Sequence, residues 1–193
     1  TISEEHILQN VRTIQQRNGI KEPVSELQGM NFSVEMETGT GKTYVYLKTI
    51  YELNKLFGFK KFVIVVPSVA IREGVLKNLQ ITQDHFQSLY DKASIGFEVY
   101  DSKKVSTLRS FSSANNIQIL IINIQAFNTE DRIINKPNDK LTGKIPIEFI
   151  QGTKPIVIVD EPQNMEAGAA KTALNKLYPL CTLRYSATHT NLY

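Results

Sequence analysis

The chain has 193 residues, of which 41% are hydrophobic and 21% are charged, and its net charge is +3. These values are ordinary for one soluble globular domain, and the length is small for two domains. The mildly basic charge is compatible with nucleic acid but does not by itself indicate it. No apolar run approaches the roughly 18 residues that span a bilayer, and no secretory signal opens the chain.

The single cysteine, Cys181, cannot form an internal disulfide, which suits a reducing compartment. We therefore expect a cytoplasmic protein with no membrane partner. The first residue is Thr1 and not Met, which indicates that the natural N-terminus is missing.

Taken in chain order, the sequence opens with apolar residues at helical spacing, which predict a helix over residues 3–17 with Ser3 as its N-cap. We expect residues 1–30 to form a helical lead-in and residues 31–193 to form one domain. Six apolar or alternating runs predict strands at 32–36, 62–66, 95–100, 117–122, 156–159 and 180–185. Helical candidates lie between them at 42–56, 69–79, 103–111 and 167–177.

This alternation of strand and helix predicts an α/β fold, in which an open, mostly parallel, doubly wound sheet carries helices on both faces in three layers. The runs at 63–66 and 156–159 are almost purely β-branched, as a strand buried on both faces requires. The polar stretch 128–154 is predicted as a long connection.

A phosphate-binding loop is predicted where the first strand of this domain meets its first helix. Phosphates bind backbone N–H donors, a helix N-terminus and a cation, and this segment supplies all three. Glycines let such a loop curl so that successive N–H groups point inward, where side chains would obstruct them. The predicted phosphate-binding residues are Thr38, Gly39, Thr40, Gly41, Lys42 and Thr43.

Within this loop, Lys42 can reach the β and γ phosphates of ATP, and the Thr43 hydroxyl can bind Mg²⁺. The general pattern has Gly five residues before Gly41, where this chain has Met36, so the entry to the loop departs from that pattern.

Two carboxylates, Asp160 and Glu161, end the buried strand at 156–159. Ligands of open α/β sheets collect at the carboxyl ends of the strands, so Asp160 is expected beside the phosphate loop as a Mg²⁺ ligand. Glu161 can orient and deprotonate the water that attacks the γ phosphate. We predict Glu161 and Lys42 as the catalytic residues.

Hydroxyl groups follow the last predicted strand, in the sequence Ser-Ala-Thr. Ser186 and Thr188 would lie beside the acidic loop, where they could hydrogen-bond Gln163 or Asp160 and sense the state of the phosphate. We predict Gln163, Ser186 and Thr188 as coupling residues.

Four segments resemble, in order and spacing, motifs I, Ia, II and III of the first RecA-like lobe of superfamily-two (DEAD/DEAH-like) helicases. They are residues 38–43, 66–74, 160–163 and 186–188. The sequence around these motifs, including Tyr-Val-Tyr-Leu at 44–47, is similar to that of the restriction (Res) subunit of type III restriction-modification enzymes.

The resemblance implies the N-terminal ATPase lobe of an ATP-dependent DNA translocase or switch. Such a subunit carries a C-terminal endonuclease domain and works with a methyltransferase (Mod) subunit. It also implies that the lobe contacts the DNA backbone without reading its sequence. By the same likeness the DNA-contacting residues would be Ser68, Arg72, Asn123 and Gln125.

Within the 193 residues we find no second lobe, hence no arginine finger, and no nuclease signature. We therefore expect the isolated chain to bind nucleotide weakly and to hydrolyse it barely or not at all. Two other functions remain open: the first lobe of another superfamily-two DNA or RNA helicase, and a nucleotide-dependent binding or switch module that never cleaves.

Overall fold

Two compact units make up the computed structural model, one covering residues 1–31 and the other residues 32–193. The structure describes residues 3–37, 39–165 and 172–187. None of the helices in these ranges is long and apolar enough to cross a membrane.

The first unit contains helix α1, Glu4–Arg17, and the loop that follows it. As predicted, Ser3 caps the helix, because its side chain accepts a hydrogen bond from the His6 N–H. Arg12 donates two hydrogen bonds of 2.9 Å to backbone carbonyls of the loop, and the Gln15 side chain accepts a third from the Val24 N–H. These bonds fold the loop back onto α1.

The second unit is built on six strands joined by helices. The strands are β1 (Asn31–Glu35), β2 (Lys61–Val66), β3 (Ile95–Val99), β4 (Ile117–Asn123), β5 (Ile156–Asp160) and β6 (Cys181–Ser186). The α-helices are α2 (Lys42–Phe57), α3 (Val69–Leu89), α4 (Thr107–Ser113) and α5 (Pro146–Gln151). Residues 172–175 are also helical and belong to the predicted helix at 167–177, whose first residues lie outside the described ranges.

The strands lie in the order β1-β6-β5-β2-β4-β3. The pairings β2–β4, β2–β5, β3–β4 and β5–β6 are parallel. The last strand in the chain, β6, therefore lies between the strand that precedes the phosphate loop and the strand that precedes the acidic pair.

The core lies on both faces of the sheet, which confirms the predicted three-layer α/β arrangement. Along β2, Phe62 and Ile64 pack with α2 and α3 on one face, whereas Val63 and Val65 pack with α4 and α5 on the other. Every residue of β5 is buried, as its β-branched composition predicts.

Helix α3 is ten residues longer than predicted, ending at Leu89 and not at residue 79. Its buried residues Val75, Leu79 and Phe86 keep helical spacing. The prediction stopped short because Thr82 and Gln83 stand where helical spacing from Leu79 calls for apolar residues.

Helix α4 begins at Thr107, four residues later than predicted, because Asp101 holds the preceding residues in a turn. Its carboxylate accepts from the Lys103 N–H at 2.8 Å, and its carbonyl from the Lys104 N–H at 2.9 Å.

The connection at 128–154 is more ordered than its polar composition suggested. It contains α5 and two short 3-10 helices, Ile133–Asn135 and Asp139–Leu141. Ile134 and Leu141 are fully buried in these segments.

Candidate nucleotide-binding site

The phosphate loop joins β1 to α2 through two glycines in the left-handed backbone region. Gly39 has φ 79° and Gly41 has φ 90°. A Cβ atom added at either position would meet no described atom within 4 Å. Crowding by other residues of the described chain therefore does not require glycine at these two positions. The glycines are required because the backbone adopts a conformation that other residues strain to reach.

Helix α2 begins at Lys42 with Gly41 as its N-cap, so no side chain of the cap residue occupies the helix terminus. The first N–H groups of a helix have no partner within it, and they carry the positive end of the helix dipole. The preceding turn is closed by Thr40, whose hydroxyl donates to the Glu37 carbonyl at 2.6 Å. The predicted Thr38 lies outside the described residues. The loop thus presents N–H donors to an anion.

Lys42 is buried, with 8% of its surface exposed, and its Nζ lies 2.6 Å from Oε1 of Glu161. Although this distance defines an ion pair, the Lys42 ammonium makes no hydrogen bond of normal angles to any described residue. The ammonium therefore attracts the Glu161 carboxylate and keeps donors for another acceptor. The two predicted catalytic residues are therefore in direct contact.

Glu161 adopts a left-handed backbone conformation, with φ 53° and ψ 54°. This conformation is costly for a residue other than glycine, and the following Pro162 restricts its backbone further. The Glu161 N–H donates to the Tyr185 carbonyl at 3.1 Å. Parallel pairing of β5 with β6 thus holds the turn that brings the Glu161 carboxylate to Lys42.

Asp160 is the last residue of β5 and is 5% exposed. The hydroxyl of Tyr46 donates a hydrogen bond of 3.2 Å to its Oδ2. Burial raises the pKa of Asp160, because the charged form loses solvation, and the neighbouring Glu161 charge raises it further. A bound cation would reverse that penalty, since it favours the charged carboxylate.

Lys42, Asp160 and Glu161 form a cluster, which the predicted coupling residues Gln163 and Ser186 extend. Ser186 donates a hydrogen bond of 3.1 Å to Oε1 of Gln163, whose amide nitrogen donates to Oε2 of Glu161. One chain of contacts thus runs from the end of β6 through the acidic turn to Lys42. The predicted Thr188 lies outside the described residues.

The donor set fits Mg²⁺ bound together with phosphate. Mg²⁺ is usually held by one or two protein oxygen ligands, with water and substrate phosphate completing its shell. The Asp160 carboxylate and the Thr43 hydroxyl are oxygen groups of this kind, and Asp160 accepts a hydrogen bond from Tyr46. No group of three or more His, Cys, Asp or Glu side chains that could hold a metal occurs within residues 3–37, 39–165 and 172–187.

Two tyrosines of this cluster were not predicted as site residues. Tyr46 lies one helical turn after Lys42 and Thr43, and Tyr185 packs edge-on against it with ring centroids 5.5 Å apart. Helical spacing from Lys42 could have identified Tyr46, since residues three and four apart share a helix face.

The four residues assigned to DNA contact lie at the carboxyl ends of β2 and β4. Ser68 caps α3, and its Oγ accepts from the Ile71 N–H at 3.3 Å. Gln125 donates to the Pro67 carbonyl at 3.0 Å, which joins the two segments. The Oδ1 atom of Asn123 is buried, without a hydrogen-bond partner in the described part of the chain.

Arg72 pairs with Glu73 at 2.9 Å and lines a groove of about 890 Å³ together with Gln125. Lys104 and Arg132 line the same groove. None of its lining residues belongs to the Lys42–Glu161 cluster, so the two sites are separate.

Comparison with known proteins identifies the family. A family model described as type III restriction enzyme, res subunit, matches residues 5–191. The chain belongs to this family. The resemblance expected from its motifs is thereby confirmed.

Individual Res subunits are similar over most of the chain. The Res subunit of the Escherichia coli enzyme EcoP15I is 30% identical over 100% of the chain. That of the Salmonella typhimurium enzyme StyLTI is 35% identical over 84% of the chain. The chain spans 22% and 18% of these two subunits, about a fifth of their length.

Solved structures share the fold at low sequence identity. The first is a nuclease-deletion mutant of the type ISP restriction-modification enzyme LlaGI in complex with a DNA substrate mimic. It has a TM-score of 0.54 and 16% identity, covering 97% of this chain and 17% of that one. The UvsW helicase of bacteriophage T4 has a TM-score of 0.51 and 10% identity, covering 97% of this chain and 53% of that one. These matches agree with the predicted RecA-like α/β fold.

Proposed function

We propose that the chain is the ATP-binding motor lobe of a type III restriction endonuclease, which couples ATP hydrolysis to movement or switching on DNA before cleavage. The observation that supports this most directly is the contact of Lys42 with Glu161 at the N-terminus of α2, next to the buried Asp160. A cation, two carboxylates and a helix N-terminus meet there, as phosphoryl transfer requires.

In this proposal, the N–H groups at the start of α2 and the Lys42 ammonium hold the β and γ phosphates of ATP. Thr43 and Asp160 would bind Mg²⁺, which neutralises charge that develops on the phosphates. Lys42 must then exchange its contact with Glu161 for one with phosphate. The released Glu161 carboxylate accepts a proton from the attacking water.

Gln163 and Ser186 would relay the state of this site to β6, because they connect the Glu161 carboxylate to the end of that strand. An arginine from a second lobe would complete the site, as such fingers raise turnover by roughly 10³–10⁵ in related enzymes. We therefore keep the expectation that these 193 residues alone hydrolyse ATP barely.

DNA is the proposed polymer, held through its backbone by residues at the carboxyl ends of β2 and β4. Support comes from three basic side chains in the groove there, Arg72, Lys104 and Arg132. The groove also contains three acidic side chains, Glu98, Asp101 and Asp131, so its lining is balanced in charge. Basic side chains of this kind contact phosphates and position a duplex without reading its sequence. A methyltransferase (Mod) subunit is the proposed partner in the whole enzyme.

Nucleotide binding by the 193-residue chain tests the phosphate site. A fluorescent ATP analogue titrated with Mg²⁺ should bind, and Lys42→Ala should weaken binding by roughly 100-fold, as for loss of a buried charge-assisted contact. Lys48→Ala is the matched control, because Lys48 is an exposed lysine on the same helix. Equal affinity in both variants would refute the assignment of the phosphate loop.

Turnover requires the longer protein that contains a second lobe. Glu161→Gln in that protein should keep ATP binding and abolish hydrolysis, whereas retained hydrolysis would remove Glu161 from the role of base. Stimulation of hydrolysis by DNA but not by RNA would exclude an RNA helicase, and ATP-dependent DNA cleavage would support the restriction enzyme over a DNA helicase. If this longer protein bound ATP and never turned it over, with or without nucleic acid, the switch module would be supported.

A further inference from the structure

The hydroxyl of Tyr46 contacts Asp160, one of the two residues proposed to bind magnesium. Tyr46 is fully buried in α2, and its hydroxyl donates to Oδ2 of Asp160 at 3.2 Å. Because α2 has 3.6 residues per turn, the spacing of three residues places Tyr46 on the same face of the helix as Thr43, the other proposed ligand.

The hydrogen bond fixes which oxygen of Asp160 remains for a cation. A tyrosine hydroxyl has one proton, and here it goes to Oδ2 of Asp160. The bond therefore holds the carboxylate at Oδ2 and leaves Oδ1 available to coordinate a metal ion.

Tyr46 itself is held in place by its surroundings. Its ring meets Tyr185 edge-on at an interplanar angle of 64°, and the Tyr185 hydroxyl lies 3.2 Å from Oγ1 of Thr49 on the same helix. Tyr185 is also the register partner of Asp160 in the β5–β6 pairing. The tyrosine and the carboxylate are therefore positioned by the same strand.

We propose that Tyr46 is a positioning residue of the magnesium site, which orients the Asp160 carboxylate before metal and nucleotide arrive. This inference rests on the proposed function, since it presupposes that Asp160 binds Mg²⁺. Tyr46 itself would not be a metal ligand. Its hydrogen bond would lower the cost of binding, because the carboxylate would not have to be reoriented.

The test separates metal binding from nucleotide binding. The dissociation constant of a fluorescent, non-hydrolysable ATP analogue is measured for the 193-residue chain in EDTA and in Mg²⁺, and the ratio of the two constants is the metal enhancement. Tyr46→Phe removes one oxygen atom and keeps the buried ring. It should leave binding in EDTA within about twofold and lower the enhancement about tenfold, as for other groups that orient metal ligands.

Tyr51→Phe is the matched control. Tyr51 is a buried tyrosine of the same helix, 2% exposed, and its ring stacks on Phe86 and Tyr90 away from Asp160. The same chemical change there should alter neither constant. An equal fall in enhancement in both variants would overturn the inference, because it would show a general effect of losing a buried hydroxyl.

A double-mutant cycle checks that Tyr46 acts through Asp160. If it does, Tyr46→Phe combined with Asp160→Asn should show the same enhancement as Asp160→Asn alone. If the two substitutions lowered the metal enhancement independently, so that their fold-changes multiplied, the inference that Tyr46 positions Asp160 would be refuted. A wild-type chain without any Mg²⁺ enhancement would instead overturn the proposed function, and the inference with it. Enhancement that is present in the wild type and unchanged in Tyr46→Phe would overturn the inference alone.

Discussion

The ion pair between Lys42 and Glu161 predicts that removing the acid strengthens nucleotide binding. Lys42 Nζ lies 2.6 Å from Glu161 Oε1, and phosphate must compete with this carboxylate for the ammonium. Glu161→Gln keeps the size and shape of the side chain and removes its negative charge. The variant should therefore bind the triphosphate more tightly than the wild type.

The size of the effect follows from the burial of the pair. The Lys42 and Glu161 side chains are 9% and 21% exposed. Exposed ion pairs contribute about 0.2–1 kcal/mol, and breaking fully buried ones costs about 3–5 kcal/mol. For this partly buried pair we expect an interaction free energy of about 1–2 kcal/mol. Since about 1.4 kcal/mol corresponds to a tenfold change in the dissociation constant, the affinity for nucleotide should be roughly 5- to 30-fold higher in Glu161→Gln.

Titration of the 193-residue chain with a non-hydrolysable fluorescent ATP analogue and Mg²⁺ measures this affinity directly. Glu73→Gln is the control, because Glu73 also pairs with a basic residue, Arg72, but is 57% exposed and lies outside the cluster. The Glu161→Gln chain without nucleotide should also melt at a lower temperature, since Lys42 is left buried without its counter-ion. Unchanged or weaker affinity in Glu161→Gln would refute the competition between carboxylate and phosphate.

Other predictions concern stability and DNA. Burial raises the pKa of Asp160 in the folded chain, so the stability that this group contributes is present at low pH and is lost as pH rises through the raised pKa. Asp160→Asn should therefore raise the melting temperature in EDTA at neutral pH. This increase should disappear below the ordinary aspartate pKa of about 3.9. An increase in melting temperature that persists below that pH would contradict the view that burial of the charged carboxylate destabilises the fold. Lys61 donates to the carbonyls of Phe111 and Ala114, at 2.5 and 2.6 Å, at the end of α4. Lys61→Met should cost about 1–2 kcal/mol, which lowers the melting temperature by about 2–8 °C. Lys60→Met, which removes a bond to an exposed asparagine, should cost less. Arg72→Ala should weaken DNA binding similarly for all sequences and lower the slope of log affinity against log salt by about one; a sequence-dependent loss would contradict a backbone contact.

The strands could be predicted from the sequence because burial on both sides of a parallel sheet demands unbroken β-branched runs, as in β2 and β5. The phosphate loop was predictable because its glycines and Lys42 are local in sequence. The extent of α3 was not, since the half-buried Thr82 and Gln83 are polar where helical spacing from Leu79 calls for apolar residues. Nor was α5, because six residues are too few for periodicity to be detected.

The arrangement of the site depends on contacts between residues that are far apart in sequence, which sequence patterns do not reveal. Tyr46 and Asp160 are 114 residues apart in the chain, yet their side chains share a hydrogen bond. The left-handed turn at Glu161 was not foreseen either, because glycine is the residue that usually signals it. The sequence therefore identified the residues of the cluster better than it identified the bonds that hold them.

The place of β6 in the sheet also sets the order in which the chain can fold. β1 ends at Glu35, and the strand beside it in the described sheet, β6, begins at Cys181. A ribosome must therefore synthesise most of the chain before β1 can pair, and contacts between residues so far apart in sequence form slowly. Until then the loop entry lacks its anchor, the hydrogen bond from the Met36 N–H to the Ser186 carbonyl. Nascent chains that stop short of β6 would have no assembled phosphate site, so nucleotide can stabilise only chains whose sheet is complete.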